Sequence, residues 1–178
     1  MNVVNIQFPF SMSFLDFPDP EAHAVVVYMM GCDNVCEGCQ NPEFKNPNFS
    51  ESTEEFTALK LLFEVVKSLK KHRTSNIVLT GGDPFSKHNR QFTQEFLLMT
   101  HDWKTCVYTG HDIEYVKEYS LCGFDYLICN PYDKTKKVLS EKTDEYFQLA
   151  STNQEIYYGK ELISKNGKLI FELFNATS

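Results

Sequence analysis

Ala22-His-Ala-Val-Val-Val-Tyr-Met-Met-Gly-Cys-Asp-Asn-Val-Cys-Glu-Gly-Cys39 runs from a dense apolar segment straight into three cysteines. Residues 22–30, with Val25-Val-Val-Tyr28 at their centre, read as a buried strand. The stretch that follows, to about Phe49, is rich in Asn, Pro and Gly and reads as a loop. Cys32, Cys36 and Cys39 have the spacing C-x3-C-x2-C. Three thiolates on one short loop can hold three corners of a cubane cluster and leave the fourth iron open to a small molecule. A protein that only carries electrons more usually supplies four thiolates. The competing reading is structural zinc, which wants a fourth ligand and more often uses C-x2-C pairs. His23 is one candidate for that ligand, but it lies in the run-up to the strand.

Working outward, Ser52-x-x-Glu55 has the form of a capping box that opens a helix, with Phe56, Leu59, Leu62, Val66 and Leu69 at helical spacing. Ile77-Val-Leu-Thr80 is a short strand ending at Gly81-Gly82-Asp83-Pro84. A second helix is expected from Asn89 to Met99, a strand over 105–109, a short helix marked by Ile113, Val116 and Tyr119, and a further strand over 124–129. This alternation predicts an α/β fold with a mostly parallel sheet. Each strand then feeds an unusual loop at its C-terminal end: the cysteines, Gly-Gly-Asp-Pro, Thr109-Gly-His111 and Asn130-Pro131. Ligands of parallel α/β folds gather at that edge. Near the end of the chain, Asn166-Gly167 between strand-like runs is a hairpin signal.

A chain of 178 residues that is 42% hydrophobic and 23% charged is expected to form one domain, 1–178, with a substantial core. Its net charge of -7 argues against nucleic acid or an anionic membrane as partner. No stretch is apolar and long enough to span a bilayer, and Met1-Asn-Val-Val-Asn-Ile is not a secretory signal. Six cysteines without an export signal indicate a reducing compartment, so a cytoplasmic location is expected and a disulfide scaffold is not.

The cysteine spacing at the end of the first strand and Gly-Gly-Asp-Pro at the end of the second resemble the radical S-adenosylmethionine (SAM) enzymes. The finer resemblance is to the activating proteins of anaerobic ribonucleotide reductase. It rests on Gly31-Cys32…Cys36-Glu-Gly38-Cys39-x-Asn41, Thr80-Gly-Gly-Asp-Pro, Val107-Tyr-Thr-Gly110 and Ser151-Thr-Asn-Gln154, in matching order from about Ala24 to Tyr158. The resemblance implies a partial (β/α) barrel of radical SAM type, with a [4Fe–4S] cluster on Cys32, Cys36 and Cys39. SAM would chelate the open iron, with cofactor contacts at Gly38, Gln40, Gly81, Gly82, Asp83 and Thr109. Reductive cleavage of SAM would give a 5′-deoxyadenosyl radical that abstracts hydrogen from a glycine of the large reductase subunit, with an electron donor such as flavodoxin and no side chain as catalytic acid or base. Activation of another glycyl-radical enzyme such as pyruvate formate-lyase, a small-molecule radical SAM reaction and a non-catalytic zinc module stand as alternatives.

The chain departs from this family's pattern before the first strand. Residues 15–23, Leu-Asp-Phe-Pro-Asp-Pro-Glu-Ala-His, lack the family's Gly-Pro-Gly-x-Arg stretch, and Asn130-Pro131 stands where Asp-Gly is common. The C-terminal hairpin is additional. Cys106, Cys122 and Cys129 are expected in or near the core. His111 is read either as a ligand contact or as a solvated residue at a helix start. Lys134, Lys136 and Lys137 are read as a solvated basic run near the mouth of the site.

Overall fold

The computed structural model describes residues 2–19, 22–138, 149–159, 161–165 and 168–169. Ten strands form one mixed sheet: β1 (Val4–Gln7), β2 (Ser11–Ser13), β3 (Ala24–Met29), β4 (Thr53–Phe56), β5 (Asn76–Gly81), β6 (Lys104–Tyr108), β7 (Tyr126–Cys129), β8 (Glu155–Tyr158), β9 (Glu161–Lys165) and β10 (Lys168–Leu169). The order is β10-β9-β8-β7-β6-β5-β3-β1-β4, with β2 also paired to β3. Among the described residues three α-helices, α1 (Ala58–His72), α2 (Arg90–Leu97) and α3 (Ile113–Glu118), follow β4, β5 and β6.

The expected alternation is present in the middle of the sheet, where β3, β5, β6 and β7 are parallel neighbours. The sheet is not mostly parallel, however. β1, β2 and β4 flank the centre on one side and β8, β9 and β10 on the other, all in antiparallel pairings. β9 and β10 pair as a hairpin would, Lys168 opposite Lys165. The Asn166-Gly167 turn and the chain beyond residue 169 lie outside the described residues.

The capping box at Ser52 does not open a helix. Residues 53–56 are strand β4, held by β1 with Val4 opposite Phe56, and Phe56 is fully buried. The helix begins one turn later, where the Thr57 side chain accepts the Lys60 amide. Its buried face is accordingly Ala58, Leu61, Val65 and Leu69, while Leu59 is 68% exposed. Strand pairing of β4 outweighs the local capping signal because it buries Phe56 against Phe8 and Phe10.

The two faces of the central strands differ, as period-2 alternation requires. Val27, Leu79, Val107 and Leu127 lie in register across β3, β5, β6 and β7. They belong to one core with α1 and α2. Val26, Val78, Cys106 and Tyr126 form the matching row on the other face, against which none of the described helices packs. Phe17 covers it instead, 1% exposed and edge-on to Tyr126 at 5.3 Å. The segment that departs from the family pattern therefore closes the second core. The Asp16 carbonyl beside it accepts the Tyr108 hydroxyl at 2.7 Å.

Phe17→Ala is expected to cost about 3–5 kcal/mol, as for other large-to-small core changes, with a matching fall in the urea midpoint on equilibrium denaturation. Phe14→Ala, at a side chain 69% exposed, is the control and should shift the midpoint little.

Candidate functional site

The C-terminal ends of β3 and β5 are stitched together by main-chain bonds. The Gly82 amide donates to the Met29 carbonyl at 2.7 Å, and Asp83 to that of Gly31 at 2.9 Å. Gly31 and Cys32 donate onward to Phe44 and Lys45, which end a single 3₁₀ turn over Pro42–Lys45. Gly82 must be glycine here: a Cβ would stand 2.5 Å from the Gly31 carbonyl oxygen and 2.6 Å from that of Phe44. The glycine serves the close approach of two loops. Asn89, at the start of α2, adds three bonds from its side-chain amide, to the carbonyls of Met30, Gly31 and Asp83.

These loops border an open cleft of about 710 Å³, a figure that includes the solvent at its mouth. It lies at the C-terminal edge, on the face of the sheet opposite the described helices. Cys32, Cys36, Cys39 and Gln40 form one wall; Thr80, Gly82, Tyr108 and Thr109 lie along the strand ends; Asn130, Tyr132 and Gln154 stand opposite. Of the expected cofactor contacts, Gly38 and Gly81 do not line the cleft, and neither does His111. Gly81 faces the Met29 backbone, and Gly38 takes a turn conformation beside Lys134 and Tyr132.

Asp83 is 1% exposed, and both its oxygens are engaged. Oδ1 accepts from the Phe85 amide at 2.8 Å and the Thr109 hydroxyl at 2.9 Å; Oδ2 accepts from the Gly110 amide and the Asn34 side-chain amide, each at 2.9 Å. Burial pushes the Asp83 carboxyl up, against the pull of His111 and of these donors. The polar atoms of Asp83 and Thr109 thus engage each other, while their surfaces still line the cleft.

His111 is not solvated. Its Nε2 lies 3.2 Å from Asp33 Oδ1, and its ring stacks on Tyr115 at 3.7 Å. Lys134 pairs with Glu37 of the cysteine loop and Lys136 with Asp133, so these two lysines of the basic run are in ion pairs. Cys106 and Cys129 are buried, with thiols pushed up by that burial, whereas Cys122 is exposed rather than near-core. His23 bonds the His72 carbonyl at the opposite end of β3 and is no partner for the cysteines.

The residues present fit an iron–sulfur cluster. All three loop thiols are free and partly exposed to the cleft. Among the described residues, Asp33, Asp83 and His111 are the one trio whose ligand atoms lie within 4.8 Å of one another. The cysteine sulfurs are more widely spread than one tetrahedral ion with Zn–S of about 2.3 Å would hold them. The acidic trio is bound up in its own hydrogen bonds. Cys32 is pushed up to about 11, chiefly by burial, and receives the Asn34 amide on its sulfur at 3.4 Å. Burial also raises Cys36, with Lys45 and the Tyr132 amide pulling the other way.

Several cleft residues carried no sequence signal of their own: Asn34, Lys45 and Tyr132, while Thr80 and Tyr108 lie inside quoted motifs without having been named as contacts. Gln154 belongs to a motif that did signal, and its Oε1 closes a turn by accepting the Ala150 and Ser151 amides. Asn153 donates to the Pro131 carbonyl and leaves its Oδ1 buried without a partner among the described residues.

Comparison with known proteins agrees with the site. Residues 21–157 match the family described as 4Fe-4S single cluster domain. The anaerobic ribonucleoside-triphosphate reductase-activating protein of Enterobacteria phage T4 is 28% identical over 131 residues, 69% of this chain and 81% of that protein. The 7-carboxy-7-deazaguanine synthase of Aquifex aeolicus (strain VF5) is 24% identical over 142 residues, 80% of this chain and 61% of that enzyme. These likenesses agree with the iron–sulfur cluster and SAM expected from the motifs. With free cysteines lining a cleft at the strand edge and a family match over most of its length, the chain belongs to the 4Fe-4S single cluster domain family.

Proposed function

We propose that this chain, acting as one domain, is a SAM-dependent activase that generates a glycyl radical on the large subunit of an anaerobic ribonucleotide reductase. The observation that carries this reading is the convergence of the cysteine loop and the Gly-Gly-Asp-Pro loop on one open cleft, in a chain 28% identical to a reductase-activating protein. The central parallel strands are read as the partial barrel of a radical SAM enzyme. Cys32, Cys36 and Cys39 hold the cluster as thiolates, giving up protons on binding. When bound and reduced, the cluster and SAM supply the carbon-centred radical chemistry.

The protein's part is to bind, orient and shield. Lys45 lowers the electrostatic cost of negative charge at Cys36. Tyr108, kept protonated by burial and tied to the Asp16 carbonyl, closes the cleft from below. Gln40, Gly82, Asp83 and Thr109 contact SAM from the walls, and Gly38 and Gly81 act through the loop shapes they allow. The cleft is open to solvent, a polypeptide loop of the partner enters there, and a reductant such as flavodoxin supplies the electron.

A second reading, a radical enzyme with a small-molecule substrate, is favoured by the likeness to a deazaguanine synthase. Incubation with SAM, reductant and an anaerobic reductase separates the two. A glycyl doublet in the electron paramagnetic resonance (EPR) spectrum of the reductase is expected. Substrate turnover by the chain alone, with no doublet on any glycyl-radical partner, would overturn the activase reading.

Replacing Cys36 with Ala is expected to abolish SAM cleavage, by about a thousandfold or more given that one ligand of the cluster is lost. Chromatographic assay of 5′-deoxyadenosine measures this. Cys122→Ala, at an exposed thiol outside the cleft, should retain full cleavage.

A further inference from the structure

The cysteine loop is tied down by side chains that lie between its first two cysteines. Asn34 reaches across to Asp83 Oδ2 at 2.9 Å, while its own amide donates to Cys32 Sγ at 3.4 Å. The same Asp83 carboxylate accepts from Thr109 and Gly110 beyond β6. One buried carboxylate therefore links the loops after β3, β5 and β6. Gly110 completes the arrangement. A Cβ at this position would collide with the Asn34 side-chain amide, whose nearest atoms occupy the space a methyl would need. Gly110 is not in the left-handed region, so its backbone would accept alanine. Its lack of a side chain is spent on making room for Asn34.

Asp33 supplies a second tie. Its Oδ2 accepts the Lys87 amide at 3.1 Å, and its Oδ1 meets His111, which is fixed by stacking on Tyr115. Tyr115 is anchored in turn to the Phe85 carbonyl and to Arg90.

We infer that Asn34, seated against Gly110 and bonded to Asp83, is a positioning residue that holds the cysteine loop in its ligand-ready shape before any metal binds. A loop of free thiols would otherwise sample many shapes, and ordering it would fall on cluster assembly. The latch also explains three motif residues at once: Asp83 as acceptor, Thr109 as a donor that orients it, and Gly110 as the open seat. The inference rests on the three cysteines being the cluster ligands, but its test uses the cofactor-free chain and can fail while the activase reading survives.

The experiment is site-resolved thiol labelling of the full, cofactor-free chain with N-ethylmaleimide under anaerobic conditions, read by mass spectrometry. Exposed Cys122 serves as the fast internal reference, and buried Cys106 and Cys129 report that the fold is intact. In Asn34→Ala, Cys32 and Cys36 should label at least about tenfold faster, the change expected on losing one hydrogen bond to a buried carboxylate. Cys106 and Cys129 should stay unreactive. Gly110→Ala should reproduce the acceleration by unseating Asn34, and should lower the melting temperature. In the Asn34→Ala background the added methyl fills vacated space and should do neither. Wild-type labelling rates at Cys32 and Cys36 in Asn34→Ala would overturn the inference. So would a Gly110→Ala melting shift of the same size in both backgrounds, since it would mean that Asn34 does not occupy the seat.

Discussion

A single buried carboxylate, that of Asp83, organises the functional edge of this protein. It sits where β5 ends and takes its donors from its own turn, from the strand end beyond β6 and from the cysteine loop beyond β3. A carboxylate this deep is costly unless its oxygens are satisfied. The surrounding chain is shaped to supply the donors. Gly82 lets the two loops approach, Asn89 gathers three carbonyls beneath them, and Gly110 leaves room for Asn34.

Among the described residues, the helices pack on one face of the sheet, and this edge opens on the other. On the helix side, alternate residues of the parallel strands are sealed under α1 and α2. On the other side the lower half of the strands, whose row β8 and β9 continue with Ile156 and Ile163, packs against Phe17 and Leu149. The upper half ends in Thr80, Tyr108 and Thr109 and opens as the cleft. The alternation that builds two cores thus also decides which side chains meet a ligand. The N-terminal segment, which lacks the glycines and arginine of the family pattern, here serves as the cover of the second core.

Much of the centre was legible in the sequence because the signals were local. Val25-Val-Val-Tyr28, Ile77-Val-Leu-Thr80 and the strands over 104–108 and 126–129 are continuous β-type runs bounded by turn residues. The three cysteines could be assigned to one loop from spacing alone. The flanks were not legible, because their structure depends on distant partners. β1 and β4 are four residues each and exist by pairing with one another. Residues 52–55 therefore satisfied a helix-cap pattern although 53–55 belong to the sheet. The latch was equally hidden: nothing in Cys-Asp-Asn-Val-Cys marks Asn34 until Asp83 and Gly110 are brought beside it. The sequence left His111 open between a ligand contact and a solvated residue because its partner Asp33 is 78 positions away.

The account stands on a cluster held by three cysteines with one iron left for SAM. The most direct measurement is EPR of the anaerobically reconstituted, reduced protein before and after addition of SAM, together with iron and sulfide analysis. The account predicts iron and sulfide in the proportions of a [4Fe–4S] cluster and a signal whose shape changes when SAM binds, with hyperfine coupling to a nitrogen-15 label in its amino group. Stoichiometric zinc with no iron chromophore, or a cluster signal indifferent to SAM, would contradict it.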